Sequence, residues 1–252
     1  MKKIKQTIFQ IAMLLGCMYS LHAQEQHTKI TAPPFMASST NFSISLFDAT
    51  PESVKEILPE GMQPKTKENG FVTVGFELYT TARIYGMPKF SIAFIYVEVE
   101  NCDAKNGTAG HWAVWGNTNN KEVLNNLVSN YKFPYEYSSG IYITSQEDNY
   151  SGTITGNEGE RIHLKLKILK ETTPFTAEGI VNMCGRKENG DTVLSEVTWF
   201  TNGQNAEVIS LDITPANNKV LRLLKDLKPF WSMVSKEQTF CYSSPIILNN
   251  NP

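Results

Sequence analysis

Glu77 and Glu136 are the two carboxylates of this 252-residue chain whose settings suggest chemistry. In the run Val72 to Leu78, the residues Val72, Val74, Phe76 and Leu78 share one strand face, and Thr73, Gly75 and Glu77 share the other. A carboxylate on that second face either enters a cavity or projects to solvent. In a cavity it would act as an acid or base, or hold a ligand hydroxyl. Glu136 lies in Tyr131-Lys132-Phe133-Pro134-Tyr135-Glu136-Tyr137. Lys132 stands four residues before it, so an extended backbone would put amine and carboxylate on one face. Tyr131, Tyr135 and Tyr137 supply aromatic bodies with polar tips, which suit either the lining of a small-ligand pocket or a sealed core. Arg83, just beyond the Glu77 strand, could bind a ligand carboxylate through two parallel hydrogen bonds.

Other chemistries lack their residues. His111 and His163 are too isolated for a triad or a metal set, and no G-x-S-x-G, H-E-x-x-H or phosphate-loop pattern occurs. No cofactor and no metal are expected.

The elements that must position these residues are mostly short strands. Ile162, Leu164, Leu166 and Ile168 alternate with Arg161, His163, Lys165 and Lys167, which predicts an antiparallel strand with one wet face. From Phe90 to Val99 both faces are apolar, so that strand is covered on both sides or lines a closed barrel. Thr50-Pro51 has the chemistry of a helix start, and Pro59-Glu60-Gly61 that of a stop. Asn117 or Asn119 is expected to cap a helix with the stripe Val123, Leu124, Leu127 and Val128. Thr214-Pro215 is expected to open a last helix. Thr192–Phe200 and Ala206–Ile213 read as a hairpin turning at Gly203. Many strands with few helices imply a barrel or sandwich in a single domain.

The N-terminus has a different design. Lys2, Lys3 and Lys5 precede an apolar stretch from Ile8 to Tyr19, and Ala23-Gln24 offers a cleavage junction. Residues 1–23 therefore read as a secretory signal, 24–37 as a polar leader and 38–252 as the folded domain. Export to a secreted or periplasmic location follows. The rival is a lipid anchor at Cys17, because Leu14-Leu15-Gly16-Cys17 resembles a lipobox. No later segment reaches the roughly 18 apolar residues of a membrane helix. Without the signal, 20 basic residues face 25 acidic ones, which argues against nucleic acid as a partner. Cys102, Cys184 and Cys241 remain, and an oxidising compartment permits one disulfide with one thiol left over.

The helix Pro51 to Met62, the Phe76-Glu77 pair, the segment Tyr131 to Gly140, and the closing run Leu224 to Pro229 with Cys241 to Leu248 together resemble acetoacetate decarboxylase in order and spacing. The resemblance implies an α+β fold that is mostly antiparallel β, a barrel with a few short helices, with Glu77 facing its cavity. It also implies paired lysines directly after the Phe133-Pro134 pair, the first of which forms an imine with a β-keto acid. Tyr135 and Glu136 stand there instead. Tyrosine forms no imine, and a glutamate would raise the pKa of a neighbouring lysine when the chemistry needs it lowered. The expected function is therefore binding of a small keto acid, ketone or apolar metabolite without imine chemistry. The alternative is a lyase or hydratase in which Glu77 and Glu136 act as paired carboxylates, with Arg83, Tyr131, Lys132, Tyr135 and Tyr137 as ligand contacts. The reading admits a homo-oligomer.

Overall fold

The computed structural model describes residues 32–248. The signal segment with its Ala23 junction and Cys17 lies outside them, as does the leader before residue 32. Twelve strands and three helices follow in order. They are β1 (Phe35–Ala49), α1 (Pro51–Lys55), β2 (Val72–Tyr85), β3 (Ser91–Val99), β4 (Gly110–Thr118), α2 (Lys121–Tyr131), β5 (Tyr135–Tyr137), β6 (Gly140–Gln146), β7 (Asn149–Thr155) and β8 (Arg161–Ile168). Then come β9 (Phe175–Arg186), β10 (Thr192–Thr214), α3 (Lys219–Asp226), β11 (Pro229–Tyr242) and β12 (Ile246–Leu248). The expected mostly antiparallel sheet with a few short helices is present. Among the described residues only β4 pairs in parallel, with β5 and with β9.

The pairings return on themselves: β11, β1, β2, β3, β4, β9 and β10 follow one another, and β10 pairs back onto β11. One apolar cluster lies inside this circuit, including Phe42, Tyr79, Phe94, Tyr96, Met233 and Phe240. A second lies outside it, where Val74, Phe76, Leu78, Ile95 and Val97 meet Ile154, Ile162, Leu164 and Leu166 of the β6–β7–β8 sheet and Leu221 and Leu224 of α3. This explains why β3 is apolar on both faces: Ile92, Phe94 and Tyr96 point into the inner cluster, and Ala93, Ile95 and Val97 into the outer one. β8 keeps its strict alternation, with Ile162, Leu164, Leu166 and Ile168 buried.

Five boundaries differ from the sequence reading. α1 ends at Lys55, ahead of the Pro59-Glu60-Gly61 stop. β1 begins at Phe35, inside the segment read as leader, because Phe35 and Ala37 bury their side chains. The cap of α2 is Asn120, whose side chain accepts from the Glu122 and Val123 amides; Asn117 is a buried strand residue and Asn119 instead accepts from the Ser91 amide. The cap of α3 is Asn218, because Thr214 is still strand. No hairpin turns at Gly203. β10 runs unbroken for 23 residues, pairing with β9 as far as Gly203, with β11 as far as Asn205, and with β8 from Ala206 onward. Gly203 serves close approach, since a β-carbon there would stand 2.7 Å from the Phe175 ring.

Candidate functional site

Inside the circuit lies a cavity of about 260 Å³. The period-2 alternation of its strands aims Phe42 and Ile44 of β1, Phe94 and Tyr96 of β3, Phe240 and Tyr242 of β11, and Val197, Trp199 and Thr201 of β10 into it. Glu77 enters the same space from β2, directly between Ile44 and Phe94 in register. Its outward neighbours Phe76 and Leu78 belong to the other cluster, so the alternation that buries them turns Glu77 inward.

Glu77 is the only carboxylate lining the cavity, and no lysine or arginine lines it among the described residues. Its carboxyl forms no ion pair or hydrogen bond among those residues. Burial alone pushes its pKa up to about 8, so the side chain is a neutral carboxylic acid near neutral pH. Its remaining accessible surface faces the cavity. His111, from β4, is held neutral in the same way, its pKa lowered by burial to about 3. The His111 ring stacks on Tyr96 at 3.8 Å between centroids. Tyr79 and Tyr242 share a side-chain hydrogen bond, and burial raises both phenols. The chamber is thus uncharged at neutral pH, with a carboxylic acid able to donate and several phenols beside it.

Three more polar side chains line the cavity: Thr108, and Thr201 and Gln238, which are 2% and 5% exposed and face each other across the β10–β11 register. Thr201 Oγ1 and Gln238 Oε1 lack a hydrogen-bond partner among the described residues.

The other residues singled out from the sequence do not join Glu77 in this lining. Glu136 faces outward on the three-residue β5 and accepts a hydrogen bond from Asn157 Nδ2 at 3.3 Å. The alternation that sends Tyr135 inward sends Glu136 out, so the two carboxylates are not a pair. Tyr135 packs in the inner cluster, its ring 5.9 Å from that of Phe94 and 5.3 Å from that of Phe133, without lining the cavity. Tyr131 is sealed in the same cluster, and its hydroxyl donates to the Ser243 carbonyl at 3.3 Å. Tyr137 lies at the edge under the Lys121 ammonium, 5.2 Å from the ring centre. Lys132 ends α2 in a left-handed conformation and lines an outer groove with Arg186 and Lys187. The extended geometry that would align it with Glu136 is absent. Arg83 is exposed near the end of β2 and does not line the cavity.

Sequence reasoning missed Tyr96, His111, Thr201, Gln238 and Tyr242. A signal existed for the last three: Gln238, Phe240 and Tyr242 share one strand face, as do Val197, Trp199 and Thr201. No such signal marked His111, which meets Tyr96 only because a bulge shifts the β3–β4 register between Ile95 and Tyr96.

No family model matches this sequence, and no curated protein sequence matches it. Solved structures do. Acetoacetate decarboxylase from Legionella pneumophila superposes with a TM-score of 0.64 at 14% identity, covering 87% of this chain and 89% of that one. A second acetoacetate decarboxylase structure gives a TM-score of 0.65 at 11% identity over 86% and 89% of the two chains. The enduracididine biosynthesis enzyme MppR, solved in complex with pyruvate, gives a TM-score of 0.57 at 12% identity over 89% and 94%. The chain therefore has the acetoacetate decarboxylase-like fold, with Tyr135 and Glu136 at the place where the sequence resemblance expects paired lysines.

Proposed function

We propose that this protein is a β-barrel that binds a small, uncharged and largely apolar molecule, such as a ketone, without imine chemistry. The observation that carries this reading is Glu77, a neutral carboxylic acid unpaired in a chamber lined mainly by aromatic and aliphatic side chains. A ligand carbonyl or ether oxygen gains a hydrogen bond from Glu77 and buries its apolar remainder against Phe94, Trp199, Trp231 and Phe240. The return of the strand pairings from β10 onto β11 supports reading the chamber as a barrel interior. Use of this interior for a small molecule also fits MppR, a neighbour in fold that holds pyruvate.

Among the three ligand classes raised by the sequence, a keto acid fits this chamber least well. Its carboxylate would enter beside Glu77 with no lysine or arginine to meet it. The paired-carboxylate lyase or hydratase has no geometric support, since Glu136 is outside. Export, with cleavage after Ala23 or lipidation at Cys17, completes the proposal and is read from the mass of the protein purified from its native host.

The test is a calorimetric titration of the mature protein with 4-phenyl-2-butanone, a ketone small enough for the chamber. Saturable binding that Glu77→Leu abolishes is the expected result. No binding of this or any uncharged ketone would remove the proposal.

A further inference from the structure

The chamber is polar at two separate places, and the second restricts the ligand further. Glu77 pairs across to Ile44 of β1, whereas Gln238 pairs across to Ser39 of the same strand. Five residues of β1 separate these two pairings, with a register shift between them. Phe42, Ile44, Trp199 and Phe240 give the chamber an apolar body.

The chemistry of the two ends is complementary. The Glu77 end offers a donor, the O–H of a carboxylic acid. The far end offers Gln238 Oε1, an acceptor, and Thr201 Oγ1, a hydroxyl that accepts or donates, each buried and without a partner among the described residues. Buried polar atoms of this kind are desolvated at a cost that a hydrogen-bonding partner offsets, and Gln238 Oε1 requires a donor. Residues lining the middle of the chamber supply none at that level: Phe42, Ala177, Trp199 and Phe240 surround the pair with carbon, apart from the Trp199 indole N–H.

We infer that the ligand is an uncharged two-ended molecule, with a carbonyl-type acceptor for Glu77 and a hydroxyl or N–H donor for Gln238 Oε1 and Thr201 Oγ1, separated by an apolar body. A hydroxyaryl or hydroxyalkyl ketone has this form. The inference rests on the proposed binding function and adds the second anchor.

Three probes separate the two claims: 4-(4-hydroxyphenyl)-2-butanone, which has both ends, 4-phenyl-2-butanone, which lacks the donor, and 4-butylphenol, which lacks the carbonyl. Trp199 and Trp231 line the chamber, so quenching of tryptophan fluorescence reports occupancy. The two-ended probe should bind roughly tenfold more tightly than either one-ended probe, the worth of one additional buried hydrogen bond. Thr201→Val with Gln238→Leu should remove its advantage over 4-phenyl-2-butanone and leave the latter's affinity in place. If the double variant does not fold, Thr201→Val alone should reduce the advantage. Equal affinity of all three probes for the wild-type protein overturns the two-ended ligand but leaves the binding function standing. Failure of all three to bind overturns both.

Discussion

The ring of Tyr96 fills the volume in front of Gly75, where a β-carbon would stand 2.0 Å from its Cζ and 2.4 Å from its hydroxyl oxygen. The two residues are paired in the β2–β3 register, and Gly75 lies two residues from Glu77 on the same face. Tyr96 cannot step aside freely, because its other side is stacked on His111. One wall of the chamber thus depends on a missing side chain. Gly75→Ala should destabilise the fold by about 1–3 kcal/mol through overpacking. In a Tyr96→Ala background the same substitution should cost much less, and urea unfolding of the four proteins measures that coupling. Additive effects would show that the contact is not a constraint.

Stability should depend on pH with a dome whose two limbs belong to the two buried titratable groups. Glu77 holds its proton more tightly folded (about 8) than unfolded (4.5), so its contribution is complete below pH 4.5 and is lost as pH rises through 8. His111 holds its proton less tightly folded (about 3) than unfolded (6.5), so its contribution is complete above pH 6.5 and is lost as pH falls toward 3. Between 4.5 and 6.5 the slopes oppose and cancel. From 6.5 to 8 stability should fall by about 2 kcal/mol at about 1.4 kcal/mol per pH unit. Glu98, also raised by burial, contributes with the same sign as Glu77, its share being lost as pH rises above 4.5. Chemical denaturation across pH should show Glu77→Gln flattening the alkaline limb and His111→Asn flattening the acid one. A Glu77→Gln protein with the wild-type alkaline limb would place the titrating group elsewhere.

Among the described residues the cysteines form a pair and a single. Cys102 and Cys184 are both buried and share a side-chain hydrogen bond, which with burial holds the Cys184 thiol well above its usual range. They flank the parallel β4–β9 junction, which joins through only two paired positions, His111 with Met183 and Trp112 with Cys184. Cys241 pairs with Met36 and Thr198 on other strands. Oxidised glutathione should therefore join Cys102 to Cys184 and leave Cys241 outside the disulfide, as peptide mapping will report. The cross-link should add roughly 2–4 kcal/mol to stability. A disulfide to Cys241 would contradict the arrangement.

Lys132 should not form an imine. It sits in the outer groove beside Arg186 and Lys187, away from Glu77. Borohydride reduction in the presence of acetoacetate should leave every lysine unmodified by mass spectrometry, and Lys132→Ala should leave ketone affinity unchanged. A reduced adduct on any lysine would restore the imine chemistry that the replacement by Tyr135 and Glu136 argues against.

Much of this arrangement was legible in the sequence, and the reasons for the rest are specific. Period-2 alternation placed Glu77 opposite Phe76 and Leu78, and the two-faced apolarity of β3 announced a layer on each side. Alternation also decides against Glu136, but only once β5 is known to direct Tyr135 inward. Thr-Asn-Gly-Gln has turn chemistry, yet Gly203 there admits Phe175 and a register shift while the strand continues, because both of its flanks have sheet partners. The Tyr96–His111 stack depends on a bulge, and a bulge leaves no mark in the spacing of apolar residues.

The central claim is that Glu77 serves an uncharged ligand as a protonated donor. The direct measurement is the affinity of 4-phenyl-2-butanone against pH, compared with that of its carboxylated counterpart 4-phenyl-2-oxobutanoate. The ketone should bind more tightly than the keto acid at pH 6.5 and lose affinity as pH rises through about 8, where Glu77 ionises. Glu77→Gln, which keeps a donor but cannot titrate, should bind the ketone without that loss. Tighter binding of the keto acid, or the same pH profile in the Glu77→Gln protein, would contradict the account.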